Sequence, residues 1–272
     1  MLKVVSVSQA SLYAGSAEYY TRGRMPYPQA VVEVLAAEAG YGRVLDVGCG
    51  PGSLSLPLAR LCEEVVGIDA DRGMVDQAAL ASDGLTNTRW LHLRAEDLPA
   101  GLGAFRLVTF AQSFHWMDRP RVAQAVHGML AAGGVCAHIH ATTHQGIETD
   151  AELPHPQPPH AAIAELVRKY LGPVRRAGNK LLPNGTASGE DEIYRAAGFT
   201  KSRRVEIPGI LMTRTADDVV AAVFSLSSST PHLLGTNQAA FEADLRHLLE
   251  NTSPTGTFSE LTHKTVIDLW RP

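Results

Sequence analysis

The sequence predicts an α/β fold: a doubly wound, mostly parallel seven-stranded sheet with an antiparallel edge strand and a helical cap. Three observations predict it. Between residues 43 and 140, short apolar runs alternate with helical ones at close intervals. A turn with three alternating glycines, GCGPG, follows the first strand-like run directly. The 272 residues are 45% hydrophobic with a net charge of −4, which suits a globular α/β chain. Alternation of this kind implies parallel strands joined by right-handed helical crossovers.

The elements follow in order. Residues 1–40 open with a mixed stretch that contains the run YYTRGRMPYP and continue into PQAVVEVLAAEAG, a helix framed by Pro28 and Gly40. The stretch 41–140 reads as a core. RVLDV, VVGIDA, TRWLHL, FRLVTFAQ and GVCAHIH are strands, and SLSLPLARL, DRGMVDQAALAS and PRVAQAVHGMLAAGG are the helices between them. Residues 141–188 break the rhythm. ELPHPQPPH is too rich in proline for a helix or a central strand, and HAAIAELVRKYLG is one amphipathic helix, so this stretch is expected to be a mobile cap insertion. Residues 189–272 supply the C-terminal half of the core with inserted helices, and HKTVIDLW is the antiparallel edge strand of a single-domain chain.

Composition argues against several classes. The halves before and after residue 140 hold 13 acidic and 11 basic residues, and 15 and 13. Each half is at −2, without the basic face that nucleic acid requires. No run of 18 apolar residues occurs, and the N-terminal residues lack a signal pattern, so neither a membrane nor secretion is expected. The three cysteines, Cys49, Cys62 and Cys136, form no CxxC, which fits a reducing cytoplasm. His138, His140 and His144 lie close in sequence, yet no carboxylate or cysteine falls at a familiar ligand spacing, and no metal is expected.

The chemistry concentrates at four places, each at the carboxyl end of a predicted strand, where ligands of open α/β sheets bind. The first is VLDVGCGPG, residues 44–52, with Asp46, Gly48 and Gly50; its spacing departs from the GxGxxG of dinucleotide sites. The second is Asp69, placed to accept hydrogen bonds from both hydroxyls of a ribose, or simply to cap a helix. The third is RAEDLP, whose Ala95 backbone and Glu96 or Asp97 carboxylate can meet an adenine edge. The fourth is AQSFHWMD, where Gln112 reaches toward a cofactor while Phe114, His115 and Trp116 line a pocket or pack as core.

Together these residues resemble the class I S-adenosylmethionine-dependent methyltransferases, nearest to the ubiquinone/menaquinone-biosynthesis and trans-aconitate type. The resemblance implies S-adenosyl-L-methionine as cofactor. It assigns Asp69 to the ribose and Met74 as apolar cover of the adenosine, with Arg94 where relatives often carry Asp. It makes YYTRGRMPYP a lid in which Tyr20, Arg22 or Arg24 closes over the methionine end. SLSSSTPHLLG looks like a C-terminal element of actinobacterial members linked to natural-product methylation. The implied activity is methyl transfer to N or O of a small polar molecule, an antibiotic amino sugar being one such acceptor. A nucleic-acid methyltransferase and a non-catalytic cofactor-binding protein are the alternatives. SFHW stands where an NPPY-like acceptor loop would be expected. His115 is the first candidate base, His140 and His144 the second, and with Trp116 they are the expected acceptor-binding residues.

Overall fold

The computed structural model describes residues 13, 15–174, 176–177, 180–181 and 189–272. Helices α1 (Ala17–Gly23) and α2 (Gln29–Ala39) precede β1 (Arg43–Val47), α3 (Ser55–Ala59), β2 (Glu64–Asp69), α4 (Arg72–Ala81), β3 (Thr88–His92), β4 (Phe105–Ala111), α5 (Arg119–His127) and β5 (Leu130–His140). Then come α6 (His160–Leu171), the two-residue pair β6 (Arg176–Ala177) and β7 (Lys180–Leu181), α7 (Glu190–Ala196), β8 (Thr200–Ile207), β9 (Leu211–Thr215), α8 (Ala216–Phe224), α9 (Pro231–Leu234), α10 (Gln238–Thr252), β10 (Thr257–Leu261) and β11 (Thr265–Arg271).

Local chemistry explains the helix ends. Gly40 closes α2 in the left-handed region at φ 55°. Asp71 caps α4 by accepting from the Met74 amide, and Asp118 caps α5 by accepting from that of Arg121. Thr215 and Asp218 form a reciprocal capping box on α8. Helix α5 ends at His127, earlier than the sequence pattern suggests, and the AAGG run belongs to β5.

The main sheet has seven strands among the described residues, in the order β3-β2-β1-β4-β5-β11-β8. Strands β3, β2, β1, β4 and β5 pair in parallel. The expected antiparallel strand is present as β11, but it is not the edge: it lies between β5 and β8, antiparallel to both. The reason is burial. Thr265 to Trp270 are all buried, as a strand covered on both faces requires, whereas β8 is largely exposed and tolerates the edge.

Two cores flank the sheet. On one face, Val31 and Leu35 of α2 and Leu58 of α3 pack on Val44, Leu107 and Ile139. On the other, Val122 and Val126 of α5 and Tyr194 of α7 pack on Val66, Phe110 and Trp270. Each such side chain contributes about 1.5–3 kcal/mol by burial. A third core is separate. Ile163 of α6, Val219 and Phe224 of α8 and Phe241 and Leu245 of α10 make it, with Phe258 of β10. The helices of this third core thus come both from the 141–188 stretch and from residues 216–252. The loop before α6 joins β10 through the Ile147–Leu261 bridge and the amide of Ser259 donating to Pro156, and α6 packs with helices from the end of the chain. The sequence-predicted part of the cap from 182 to 188 lies outside the described residues.

Helix α1 crosses α8 at Gly23, where a Cβ would stand 2.3 Å from the Ala221 and Ala222 backbone. Only glycine permits that approach. Gly23→Ala is expected to destabilise the chain by about 1–3 kcal/mol through overpacking. Denaturant unfolding checks this; an unchanged midpoint would show that α1 does not hold this contact in solution.

Candidate functional site

The site is built where β1, β2, β4 and β5 end on one side of the sheet. The 48–52 turn leaves β1 with positive φ at each glycine, 72° at Gly48, 54° at Gly50 and 85° at Gly52. Their reasons differ. A Cβ on Gly48 would strike Ser113 at 2.5 Å, and one on Gly52 would press on Leu56 and Trp90, so those two glycines serve packing. A Cβ on Gly50 would meet nothing nearer than the Tyr20 ring at 4.0 Å. Gly50 is thus where backbone faces open space beneath α1, as a bound nucleoside requires.

Asp69, at the end of β2, accepts from the Gly50 amide at 2.9 Å and the Asp71 amide at 2.8 Å. Burial raises its carboxyl above the usual range despite those two donors. A carboxylate offers about four lone-pair directions, so acceptor capacity remains for hydroxyls. The helix-cap alternative does not apply, because Asp71 caps α4.

Asp46 has a different task from the direct contact expected of it. It is 1% exposed, and its two oxygens accept from Ser55 at 2.5 Å and Thr109 at 2.7 Å. Burial pushes its carboxyl up to about 6. It braces the glycine turn from inside by tying β1 to the start of α3 and to β4. Met74 at 2% and Ala95 at 7% exposure are likewise covered by protein atoms, with α1 lying over α4 at Ala17 and Gly73. Glu96 accepts from the Asp118 amide and pairs with Arg94, so the residue standing where relatives often carry Asp serves to hold this carboxylate. Burial would raise the Glu96 carboxyl, but the Asp118 amide and Arg94 bring it below the usual range. Asp97 is exposed.

The lid residues divide. Arg24 stacks on Tyr20, its Cζ 4.4 Å from the ring centre, and donates to the Ser225 hydroxyl and carbonyl. Arg22 turns away to Asp217 and Asp218 on α8. Gln112 lies beneath, in the left-handed region at φ 58°, a conformation that costs a non-glycine residue energy and tends to mark functional sites. Its amide nitrogen donates to the Tyr27 hydroxyl at 3.1 Å and to Thr143 at 3.3 Å, and Arg24 reaches the same Thr143. The Tyr13 hydroxyl is hydrogen-bonded to Trp116 and Ser227, and burial lifts it to about 12. Tyr13, Tyr27, Thr143, Ser225 and Ser227 are bonded to the candidate residues, and the sequence reading did not single them out. The seven-residue spacing of Tyr13, Tyr20 and Tyr27 was the available signal; the serines come from a helix end some 200 residues away.

The histidines are sorted by burial. His138 and His140 share a face of β5, stacked with ring centres 4.3 Å apart. His138 is buried against Phe114, and its Nδ1 is paired with the Tyr194 hydroxyl. Burial, with the neighbouring His140 and His115, drives it down to about 3 and keeps it neutral. His140 is half-exposed and turns its Nε2 toward buried Asp268, 3.4 Å away on β11. That direction leads away from β4. His115 sits on the single helical turn Phe114–Trp116 after β4, its ring 4.6 Å from that of Trp116. His144 is elsewhere, lining a cavity between α6 and α8. Among the described residues no three His, Cys, Asp or Glu side chains converge as a metal-holding group, and no helix is long and apolar enough to cross a membrane. Cys49, Cys62 and Cys136 are buried and unpaired.

Residues 44–134 match the methyltransferase-domain family model. An uncharacterized methyltransferase of Mycobacterium tuberculosis is 36% identical over 125 residues, 46% of this chain and 50% of that protein. A ubiquinone biosynthesis O-methyltransferase of Psychrobacter cryohalolentis is 38% identical over 37% of this chain and 42% of its own length. A 23S rRNA uracil methyltransferase of Alkalilimnicola ehrlichii is 38% identical over 38% of this chain and 23% of its own. The chain spans about half the length, or less, of these curated relatives. Among solved structures, the YcgJ protein of Bacillus subtilis superimposes with a TM-score of 0.51 at 18% identity, covering 90% of this chain and all of that one. The [4+2]-cyclase SpnF gives 0.52 at 18% identity, over 92% and 84%. The match spans the glycine turn, Asp69, the Glu96 loop and the Gln112 segment, all between residues 44 and 134, and this segment is similar to methyltransferase domains in sequence and in its doubly wound, mostly parallel sheet.

Proposed function

We propose that the chain is an S-adenosylmethionine-dependent methyltransferase acting on N or O of a small molecule. The observation that carries this is the clasp of the Gly50 amide by Asp69 beneath Tyr20, at the strand ends of the domain that matches. A fold by itself does not fix a reaction, as the cyclase with a similar fold illustrates; the site must argue for it.

In this reading Gly50 and Asp69 hold the nucleoside, and Asp46 and Gly48 keep the turn in shape. Met74, Ala95 and Glu96 close the adenine side, while Tyr20, Arg24 and Gln112 cover the methionine end. S-adenosyl-L-methionine supplies an activated methyl group. The chain supplies orientation, exclusion of water by α1, and a base that removes a proton from the acceptor. His138 is unfit for that work because burial makes it a weak base and its Nδ1 is held by the Tyr194 hydroxyl, and His140 points toward β11. His115 is the proposed base and Trp116 the wall that aligns the acceptor. The acidic balance of the chain supports a small molecule over nucleic acid.

Asp69→Ala tests the cofactor assignment. It should weaken S-adenosylhomocysteine binding by about 1.5–3 kcal/mol, roughly 10- to 150-fold. Calorimetry on the folded variant decides it. Unchanged affinity would remove Asp69 from the ribose, and no binding by the wild-type chain would remove the methyltransferase reading.

A further inference from the structure

A cavity of about 390 Å³ lies between α6 and α8, with Ile163, Val167 and Leu171 on one wall and Val219, Val223 and Leu226 on the other. The cavity is open to solvent on the side of Ala164 and Arg168, so a small molecule can enter it. The volume lies in the range of roughly 300–1,000 Å³ typical of small-molecule pockets. We infer that this cavity receives the apolar body of the methyl acceptor; the inference rests on the methyltransferase reading and names its substrate class.

Two features connect the cavity to the strand-end site. Thr143 takes part in the Gln112 and Arg24 network, and the next residue, His144, lines the cavity. Ser225 binds Arg24, and Ser228 and Ser229, just beyond it, line the cavity as well. These short segments thus join the Gln112 and Arg24 network to the lining of the cavity. An acceptor seated against α6 and α8 presents its polar end past them toward the methyl-transfer position.

The lining also selects chemistry. Among the described residues it contains no Asp or Glu, so an ammonium group finds no counter-charge from them. Arg168 on this lining is paired with Glu165, and the His160 imidazole with Glu260. The other polar groups on the lining are His144, Gln145, Ser228 and Ser229, the last donating its hydroxyl to the Val223 carbonyl, and they suit a neutral polar edge on an apolar molecule. The antibiotic amino sugar expected from the sequence is charged and polar throughout, and this cavity does not match it.

The test uses the full chain loaded with S-adenosylhomocysteine and N-phenyl-1-naphthylamine, a neutral apolar fluorophore, as probe. Ala164 lines the cavity from an exposed position on α6, so Ala164→Trp fills the space without entering a packed core. The expected result is saturable one-to-one binding by the wild type, weakened at least about tenfold in the variant. S-adenosylhomocysteine affinity should be equal in both, and D-glucosamine should not displace the probe. Absence of saturable binding, equal binding by the variant, or displacement by glucosamine would overturn the inference. Failure of the wild type to bind S-adenosylhomocysteine strikes the methyltransferase reading instead, and the probe titration still decides the cavity.

Discussion

Replacing Glu260 by glutamine is expected to cost about 3–5 kcal/mol of stability, the scale for removing one partner of a buried ion pair. Glu260 and Arg214 are 1% and 4% exposed and meet at 2.8 Å. Arg214 also donates to the carbonyls of Gly23 and Asp218, each at 2.7 Å, and Glu260 accepts from the Gly146 amide and from His160. One ion pair therefore ties α1, α8, the loop after β5 and the start of α6 to the β9–β10 pair. Glutamine leaves the guanidinium buried without a counter-charge. For a chain of this size the melting temperature should fall by roughly 6–15 °C.

The pH dependence has a definite sign. Burial alone would raise the Glu260 carboxyl, but His160, Arg214 and the Gly146 amide bring it below the ordinary value. A depressed carboxyl contributes stability above its unfolded pKa and loses it as pH falls through the folded one. The gap between wild type and Glu260→Gln should be constant above roughly pH 5 and close in acid. A pH-independent gap, or a melting shift under about 2 °C, would show that the pair contributes little. Because the network anchors both the lid and the cavity wall, the variant should also loosen Arg24 and His144, which hydrogen exchange of α1 would report.

The second large effect belongs to His115. If it accepts the acceptor's proton, His115→Asn should lower kcat by about 10²-fold or more, close to 2.7 kcal/mol of transition-state stabilisation, with cofactor affinity kept. Asparagine keeps a polar group against Trp116 but cannot take a proton near neutral pH. If His115 only shapes the pocket, the acceptor KM rises instead and kcat holds. Turnover near that of the wild type across pH 6–9 would remove it as the base, since positioning alone can carry much of a methyl transfer.

The sequence by itself determined the parallel half of this protein. Between residues 43 and 140, strand and helix patterns are local, and so are the glycines of the 48–52 turn and the carboxylate that ends β2. Their order along the chain already places them at one sheet end. It also determined that His138 and His140 share a face, because side chains two apart on a strand must.

What only the tertiary structure decided depends on pairing and burial between distant segments. The place of β11 was one such decision: its period-2 pattern says strand, but only its two-sided cover makes it interior. Burial separated His138, held neutral against Tyr194, from half-exposed His140, although both lie at the end of the same strand. Asp46 turned from ligand to brace because Ser55 and Thr109 approach it from two other elements. The third core and its cavity arise where α6 meets α8, about 50 residues apart, near an Arg214–Glu260 pair no spacing rule reveals. Short-range patterns fix which elements form, because backbone hydrogen bonds and side-chain periodicity are local. Which faces meet, and which charges lose water, is settled only when the whole chain is packed.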